Sequence, residues 1–214
     1  MNAPIPKNEK IRLKVLWQYD VLDTVPEEVF DDLTHLAADI CEAPIALISL
    51  VDEDRQWFKA KTGVTISETA RDISFCAHAI MRGDLFIVPD AAKDARFKNN
   101  PLVTTDPKIR FYAGAPLVTP DGHALGSLCV MDKVPRSLRP EQQQALLVLA
   151  HNVVAQLELR RHARELTAAR RSEAEHRAEL GRAGAEILRL RRELEKPKGK
   201  PRPIAHQPAK KSRR

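Results

Sequence analysis

Residues 108–132, KIRFYAGAPLVTPDGHALGSLCVMD, constrain the fold more than any other stretch of the chain. Ile109, Phe111, Ala113, Ala115 and Leu117 alternate with their neighbours, the period of a strand that buries one face. Pro120-Asp121-Gly122 supplies a turn, and ALGSLCVM returns, so the segment predicts an antiparallel hairpin. A hairpin alone cannot bury such a face, so further strands are required. IALISLV (45–51) is apolar throughout and reads as a buried strand. DEDR (52–55) turns it into QWFKAKT (56–62), with Gly63 closing a second hairpin, and LFIV (85–88) reads as another strand. Gly114 and Gly126 are expected to let something approach the sheet closely.

Helical periodicity frames these strands. A first helix is expected near 8–19, with Ile11, Val15 and Leu16 on one face. Thr24 and Glu27 form a capping-box pattern with Pro26 in the first turn, and Pro44 stops the helix they begin. Val29, Phe30, Leu33, Leu36, Ala37, Ile40 and Cys41 mark its buried stripe. The turn-rich segment 89–107 suggests a functional loop with a short helix near Asp94–Lys98. Pro140 opens a helix that runs to about Glu195. Its first part carries a wide stripe (Leu146, Leu149, Ala150, Val153, Val154, Leu157) suited to packing on a domain. Beyond it the stripe narrows to a heptad: Leu159, Leu166, Leu180, Ile187 and Leu194 share one frame, and Ala169, Ala183 and Leu190 lie three residues later. Glu173, His162 and His176 interrupt the seam. A narrow apolar stripe on a charged helix predicts a coiled-coil homodimer.

Net charge is +6, but its distribution is uneven. Residues 1–158 carry 17 basic and 22 acidic side chains, whereas the last 19 residues carry eight Lys/Arg and no acid. That terminal stretch, KPKGKPRPIAHQPAKKSRR, has four prolines and no possible core, and is expected to be disordered. Its charge suits non-specific contact with nucleic acid, an acidic partner or an anionic surface, or else a solubilising end. The longest apolar run, APIALISLV (43–51), is too short to span a bilayer. The three cysteines, Cys41, Cys76 and Cys129, are odd in number and widely spaced. They suit a reducing, cytoplasmic setting better than a disulfide framework or a zinc site.

Several strings recur in order: LDTVPEEVFDDLTHLAADICEAPIALISLVDEDRQWFKA, SFCAHAI, PDAAKDARFKNNPLV, and IRFYAGAPLVTPDGHALGSLCVMD followed by PRSL. Over roughly residues 10–160 the chain resembles the GAF family, and most closely the GAF domains that precede histidine kinase or diguanylate cyclase modules. The resemblance implies an α+β fold: an antiparallel sheet of about six strands, helices on one face, and a ligand cavity between the other face and the loops. It also implies a dimer in which the terminal helices of two copies pass a signal along their axis. The expected organisation is a flexible N-terminus (1–7), a sensory domain (8–158), a helical extension (159–195) and a basic tail (196–214). The function implied is that of a stand-alone sensor of an unknown small molecule, reporting to a separate output protein. Two other readings stay open: a ligand-free adaptor acting through coil and tail, and a cysteine-based redox enzyme.

The candidate ligand-binding residues are Trp57, Cys76, His78, Asp94, Arg96, Phe97, Phe111 and Tyr112. On a helix Cys76 and His78 would stand about 200° apart and could not chelate one ion. No further ligands with zinc spacing accompany them, so no metal is expected. Bilin-binding GAF members place His or Tyr directly after their cysteine, and here Ala77 intervenes, so no covalent chromophore is expected either. Asp72 or Ser74 can cap a helix whose first turn holds Cys76, favouring a thiolate for redox or attachment chemistry. The competing reading is a small buried residue packing helix onto sheet. Arg96 can pair with an anionic ligand or with a carboxylate of its own loop, and the aromatics can line a pocket or fill a core.

Overall fold

The structure, a computed structural model, describes residues 3–195. The expected disordered tail lies outside the described residues, as do Met1 and Asn2. The elements run in the order α1 (Glu9–Gln18), α2 (Glu28–Cys41), β1 (Ile45–Val51), β2 (Arg55–Thr62), β3 (Glu68–Ala70), α3 (Cys76–Ala79), β4 (Phe86–Val88), α4 (Pro101–Thr104), β5 (Phe111–Val118), β6 (Ala124–Asp132) and α5 (Pro140–Leu194). The six strands form one sheet in the order β3-β2-β1-β6-β5-β4. Every neighbouring pair is antiparallel.

Strand alternation separates two cores. On one face Ala46, Ile48 and Leu50 of β1 and Leu128 and Val130 of β6 join Leu16, Phe30, Ala37 and Cys41 from α1 and α2 and Leu146, Val153 and Leu157 from α5. On the other face Ile45, Leu47, Phe58, Tyr112, Cys129 and Met131 meet α3 and the loops around Phe97, Val103 and Ile109. Ala3, from the expected flexible N-terminus, is buried in this second core. A bulge in β2 breaks the regular pairing: Ile48 faces Ala60 and Ser49 faces Phe58, leaving Lys59 without a partner in the ladder. The bulge turns Lys59 toward the helices, where its side chain is fully buried.

Several local expectations are corrected. Thr24 and Glu27 do not form a capping box; Glu27 is the N-cap of α2 but makes no side-chain cap. Both side chains instead accept hydrogen bonds from Lys59 Nζ, at 2.9 and 2.6 Å. A buried ammonium needs those oxygens more than exposed helix-end amides, which water can satisfy. Helix α2 ends at Cys41, before Pro44, with Glu42 in the left-handed region. Of its expected stripe, Val29 and Leu36 are exposed while Thr34 and Ala38 are buried, and Ile11 of α1 is exposed while Arg12 is buried. Residues 94–98 make one turn rather than a helix, and the short helix is α4, where Asn100 Oδ1 caps Leu102 N–H at 2.9 Å. Ile109 precedes β5 and packs in the loop-side core, apart from Phe111 to Leu117.

The two hairpin glycines make room for the protein's own atoms. A Cβ on Gly126 would stand 1.9 Å from the Ser49 carbonyl oxygen of β1, and one on Gly114 would strike the Tyr112 hydroxyl. No space is left there for another molecule.

A buried ion cluster ties α1 to the sheet. Glu9 accepts from Arg12 Nε and Nη2 at 2.8 and 2.7 Å and from Arg71 Nη1 at 2.6 Å. Arg71 Nη1 also donates to the carbonyls of Asp52 and Glu53, in the β1–β2 turn.

The chain divides into a compact unit, residues 1–165, and a second unit from Leu166 onward. In the first, α5 buries Leu146, Leu149, Ala150, Val153, Val154 and Leu157, as its wide stripe predicts. The described part of the second is helix to Leu194, and Leu166, Leu180, Ile187 and Leu194 are exposed along it, as Leu159 is before it. No helix among the described residues is long and apolar enough to cross a membrane.

Candidate functional site

The loop-side face of the sheet carries a cavity of about 60 Å³. Strand alternation delivers its floor: Ile45 and Leu47 from β1, Gln56 and Phe58 from β2, Tyr112 from β5 and Met131 from β6. Phe75 and Cys76 form one wall, and Leu102, Pro107 and Ile109 another. Val64 and Ile66, from the β2–β3 loop, lead outward to a groove of about 610 Å³ that also includes Asp106 and Lys133. The inner space is apolar, and the charges stand only at its mouth.

A chain of buried polar groups crosses the floor. Ser74 donates to Gln56 Oε1 through a short hydrogen bond, Gln56 Nε2 donates to Thr69 Oγ1 at 2.7 Å, and Ser49 Oγ reaches Gln56 Oε1 at 3.4 Å. Tyr112 donates to Cys76 Sγ at 3.4 Å and lies 3.1 Å from Ser127 Oγ. Burial first, then the neighbouring Cys76 and Cys129, push the Tyr112 hydroxyl well above its ordinary range, so it stays a neutral donor. Ser74 Oγ also accepts from Ala77 N–H at 3.0 Å, so the serine does cap the turn that holds Cys76.

The sequence candidates fall into three places. Cys76 and Tyr112 line the cavity. Trp57 and Phe111 lie in the helix-side core, on the opposite face of the sheet, and do not line this cavity. Phe97, fully buried, stacks on Phe75 at 4.2 Å and meets His78 at 4.7 Å behind the cavity wall. Burial, then Arg96, lowers the His78 pKa, favouring the neutral ring. Asp94 and Arg96 pair with each other at 2.6 Å near the surface. The Arg96 guanidinium lies over the Phe86 and Phe97 rings, and neither charged residue lines the cavity. Phe58, one of the aromatics read as able to line a pocket, does line the cavity. Sequence reading missed Gln56, Phe75 and Met131, although residue 56 shares the face of Phe58, opposite Trp57. Among the described residues no group of three or more His, Cys, Asp or Glu is placed to hold a metal ion.

The family profile for the GAF domain matches residues 25–157. The chain belongs to the GAF domain family. A curated relative from Pseudomonas aeruginosa, named as a cyclic di-GMP phosphodiesterase, is 46% identical over 144 residues, 67% of this chain. The chain spans only 24% of that relative's length. Among solved structures, the GAF domain of a Coxiella burnetii phosphoenolpyruvate-protein phosphotransferase is similar, with a TM-score of 0.54 and 17% identity, over 73% of this chain and 96% of that one. The blue-light absorbing form of the Thermosynechococcus elongatus PixJ GAF domain gives 0.53 and 16%, over 78% and 96%. At these identities the structural likeness speaks for the GAF fold alone. In this GAF domain the cavity and polar chain lie between the sheet and the connecting loops, on the face opposite α1, α2 and α5.

Proposed function

We propose that this GAF domain is a regulatory module in signal transduction rather than a catalytic one. Its input site is the cavity and groove, and its output is α5. One observation carries the reading. Within four residues of β2, Gln56 and Phe58 line the cavity while Lys59 reaches the opposite face and binds Glu27, whose Oε1 also accepts from Arg160 of α5 at 2.9 Å. A ligand that shifts β2 therefore acts through two ion pairs on the helix that leaves the domain. The input ligand is a small amphipathic molecule. Its apolar part fits against Leu47, Phe58 and Met131, with Gln56 within hydrogen-bonding reach, and an anionic group meets Lys133 at the groove. The relative named as a cyclic di-GMP phosphodiesterase supports a place in a signalling protein, and the short span of that match supports a regulatory part.

A metabolite screen by thermal unfolding tests the input. A ligand at a hundred times its dissociation constant adds about 2.7 kcal/mol. For a domain of this size that raises Tm by roughly 2–4 °C per kcal/mol. If nothing shifts Tm and Gln56→Leu leaves every response unchanged, the second reading replaces this one: a ligand-free adaptor. The specific observation favouring that alternative is the cavity's size, since about 60 Å³ falls short of the roughly 300–1,000 Å³ of typical ligand sites. In that case the coil and the basic tail, which suits non-specific contact with nucleic acid or an anionic surface, would carry the function.

The output reading requires a homodimer through residues 159–195. Leu159, Leu166, Leu180, Ile187 and Leu194 recur at heptad positions and are all exposed on one chain. Burying each would stabilise a parallel pair by roughly 1.5–3 kcal/mol. Sedimentation at tens of micromolar protein is expected to show a dimer for the native chain. A variant carrying Leu166→Asp and Ile187→Asp is expected to run as a monomer. Two monomers would remove the dimer and the output route built on it.

A further inference from the structure

Cys76 and Cys129 are 53 residues apart in sequence, yet their Sγ atoms stand 3.9 Å apart. Both are free and buried. Cys129 sits at the centre of the sheet, with Leu47 of β1 on one side and Gly114 of β5 on the other. Cys76 opens α3, a single turn of four residues, and its side chain forms part of the cavity wall. The cavity, about 60 Å³, has room for a small oxidant such as hydrogen peroxide beside Cys76.

We propose that Cys76 and Cys129 are a peroxide-sensitive dithiol that closes to an intramolecular disulfide and reshapes the cavity wall. This goes beyond the ligand reading and holds whether or not the cavity binds a metabolite. In the first step the Cys76 thiolate attacks one oxygen of the peroxide. An S–O bond forms, the O–O bond breaks, and the leaving oxygen takes up a proton as water or an alcohol. In the second step Cys129 Sγ attacks Cys76 Sγ. The S–S bond forms, the S–O bond breaks, and hydroxide leaves as water with the Cys129 proton. The peroxide gains two electrons and the two thiols lose them.

The roles follow from the surroundings. Cys76 lines the cavity and Cys129 does not; Cys129 lies in the central strand between β1 and β5, so Cys76 meets the peroxide and attacks while Cys129 resolves. Hydrogen bonds, from Cys129 foremost and then Ser127, Tyr112 and Ser49, favour the Cys76 thiolate against the opposing effect of burial. Cys41 lies in the helix-side core, where burial drives its pKa to about 11, and it stays reduced. Closing the bond brings the sulfurs roughly 2 Å nearer. The central strand cannot give, because β1 and β5 hold it on both sides, so the one-turn α3 moves. Phe75, next to Cys76, stacks on Tyr112 at 5.2 Å and on Phe97 at 4.2 Å. The displacement therefore passes directly to cavity-lining rings.

The test uses the full chain, reduced, freed of reductant and exposed to equimolar hydrogen peroxide, then denatured and alkylated. The expected result is one alkylated cysteine instead of three, a loss of two hydrogens in intact mass, a Cys76–Cys129 cross-linked peptide, and reversal by dithiothreitol. Cys129→Ala should arrest the reaction at a Cys76 sulfenic acid, which dimedone present during denaturation traps. Three alkylated thiols after peroxide would overturn the proposal. So would a disulfide that includes Cys41 or joins two chains, or Cys76 oxidised to sulfinic acid with Cys129 still free. The native-chain result decides the matter even if the variant fails to fold.

Discussion

Glu9→Gln is expected to lower the free energy of unfolding by about 3–5 kcal/mol, the usual cost of breaking a buried ion pair from one side. The substitution keeps the shape and an acceptor oxygen but removes the carboxylate shared by Arg12 and Arg71, which are 1% and 5% exposed. Both guanidinium charges would then lie buried with only carbonyl oxygens as acceptors. Burial pushes the Glu9 carboxyl up, but hydrogen bonds from Arg12 and Arg71 and then their charges reverse this and hold it at about 2, against an ordinary 4.5. Its folded pKa is thus below its unfolded one. The stabilisation is complete above the unfolded value of about 4.5 and drains away as pH falls toward 2. The gap between native chain and variant should therefore shrink by about 2 kcal/mol between pH ~7 and pH ~3. Urea midpoints at the two pH values measure it. A gap that stays constant would mean that the carboxylate charge is not what holds α1 in place.

The fold was legible wherever one local pattern decided the outcome. The apolar run 45–51 is β1 with the bounds read from sequence, and Pro120-Asp121-Gly122 joins β5 to β6, with Gly122 at φ +82°. The failures occur where distant side chains override a local preference. Thr24 and Glu27 carry a capping signature, but the β2 bulge delivers Lys59 to them from over 30 residues away. No helix-capping rule anticipates that competition. Likewise, Ile109 fits the alternation of its strand, yet Lys108 takes a positive φ of 60° and Ile109 packs into the other core. The candidate site divides in the same way. Cys76 and Tyr112 were found because their residue types carry chemistry, whereas Gln56 looks like an ordinary polar strand residue until Ser74 and Thr69 close around it. The Cys76–Cys129 approach depends on where α3 lands on the sheet, which the local sequence pattern does not set.

Glu27→Gln is the complementary experiment where α2, β2 and α5 meet, with an expected cost of about 3 kcal/mol. Lys59 Nζ has three acceptors: Thr24 Oγ1 at 2.9 Å, the Val25 carbonyl at 2.8 Å and Glu27 Oε1 at 2.6 Å. Glutamine can keep the third hydrogen bond, so the variant isolates the charge. What remains is an ammonium whose side chain is fully buried, beside three neutral oxygens and the Phe30 ring at 5.3 Å. Arg160, 18% exposed, loses its carboxylate as well and keeps only the carbonyls of Tyr19 and Asp20. Burial raises the Glu27 carboxyl, but hydrogen bonds from Lys59 and Arg160 bring it below its ordinary value, so this stabilisation too is lost on acidification. Stability alone would make Glu27 structural; the position of the pair makes a sharper demand. Lys59 sits beside cavity-lining Phe58, and Arg160 sits one residue past Leu159, the first heptad position. If β2 drives α5 through this link, Glu27→Gln should leave cavity occupancy or Cys76–Cys129 oxidation intact while abolishing its effect on hydrogen exchange in residues 150–165. If exchange there responds equally in the native chain and the variant, the signal takes another route across the sheet.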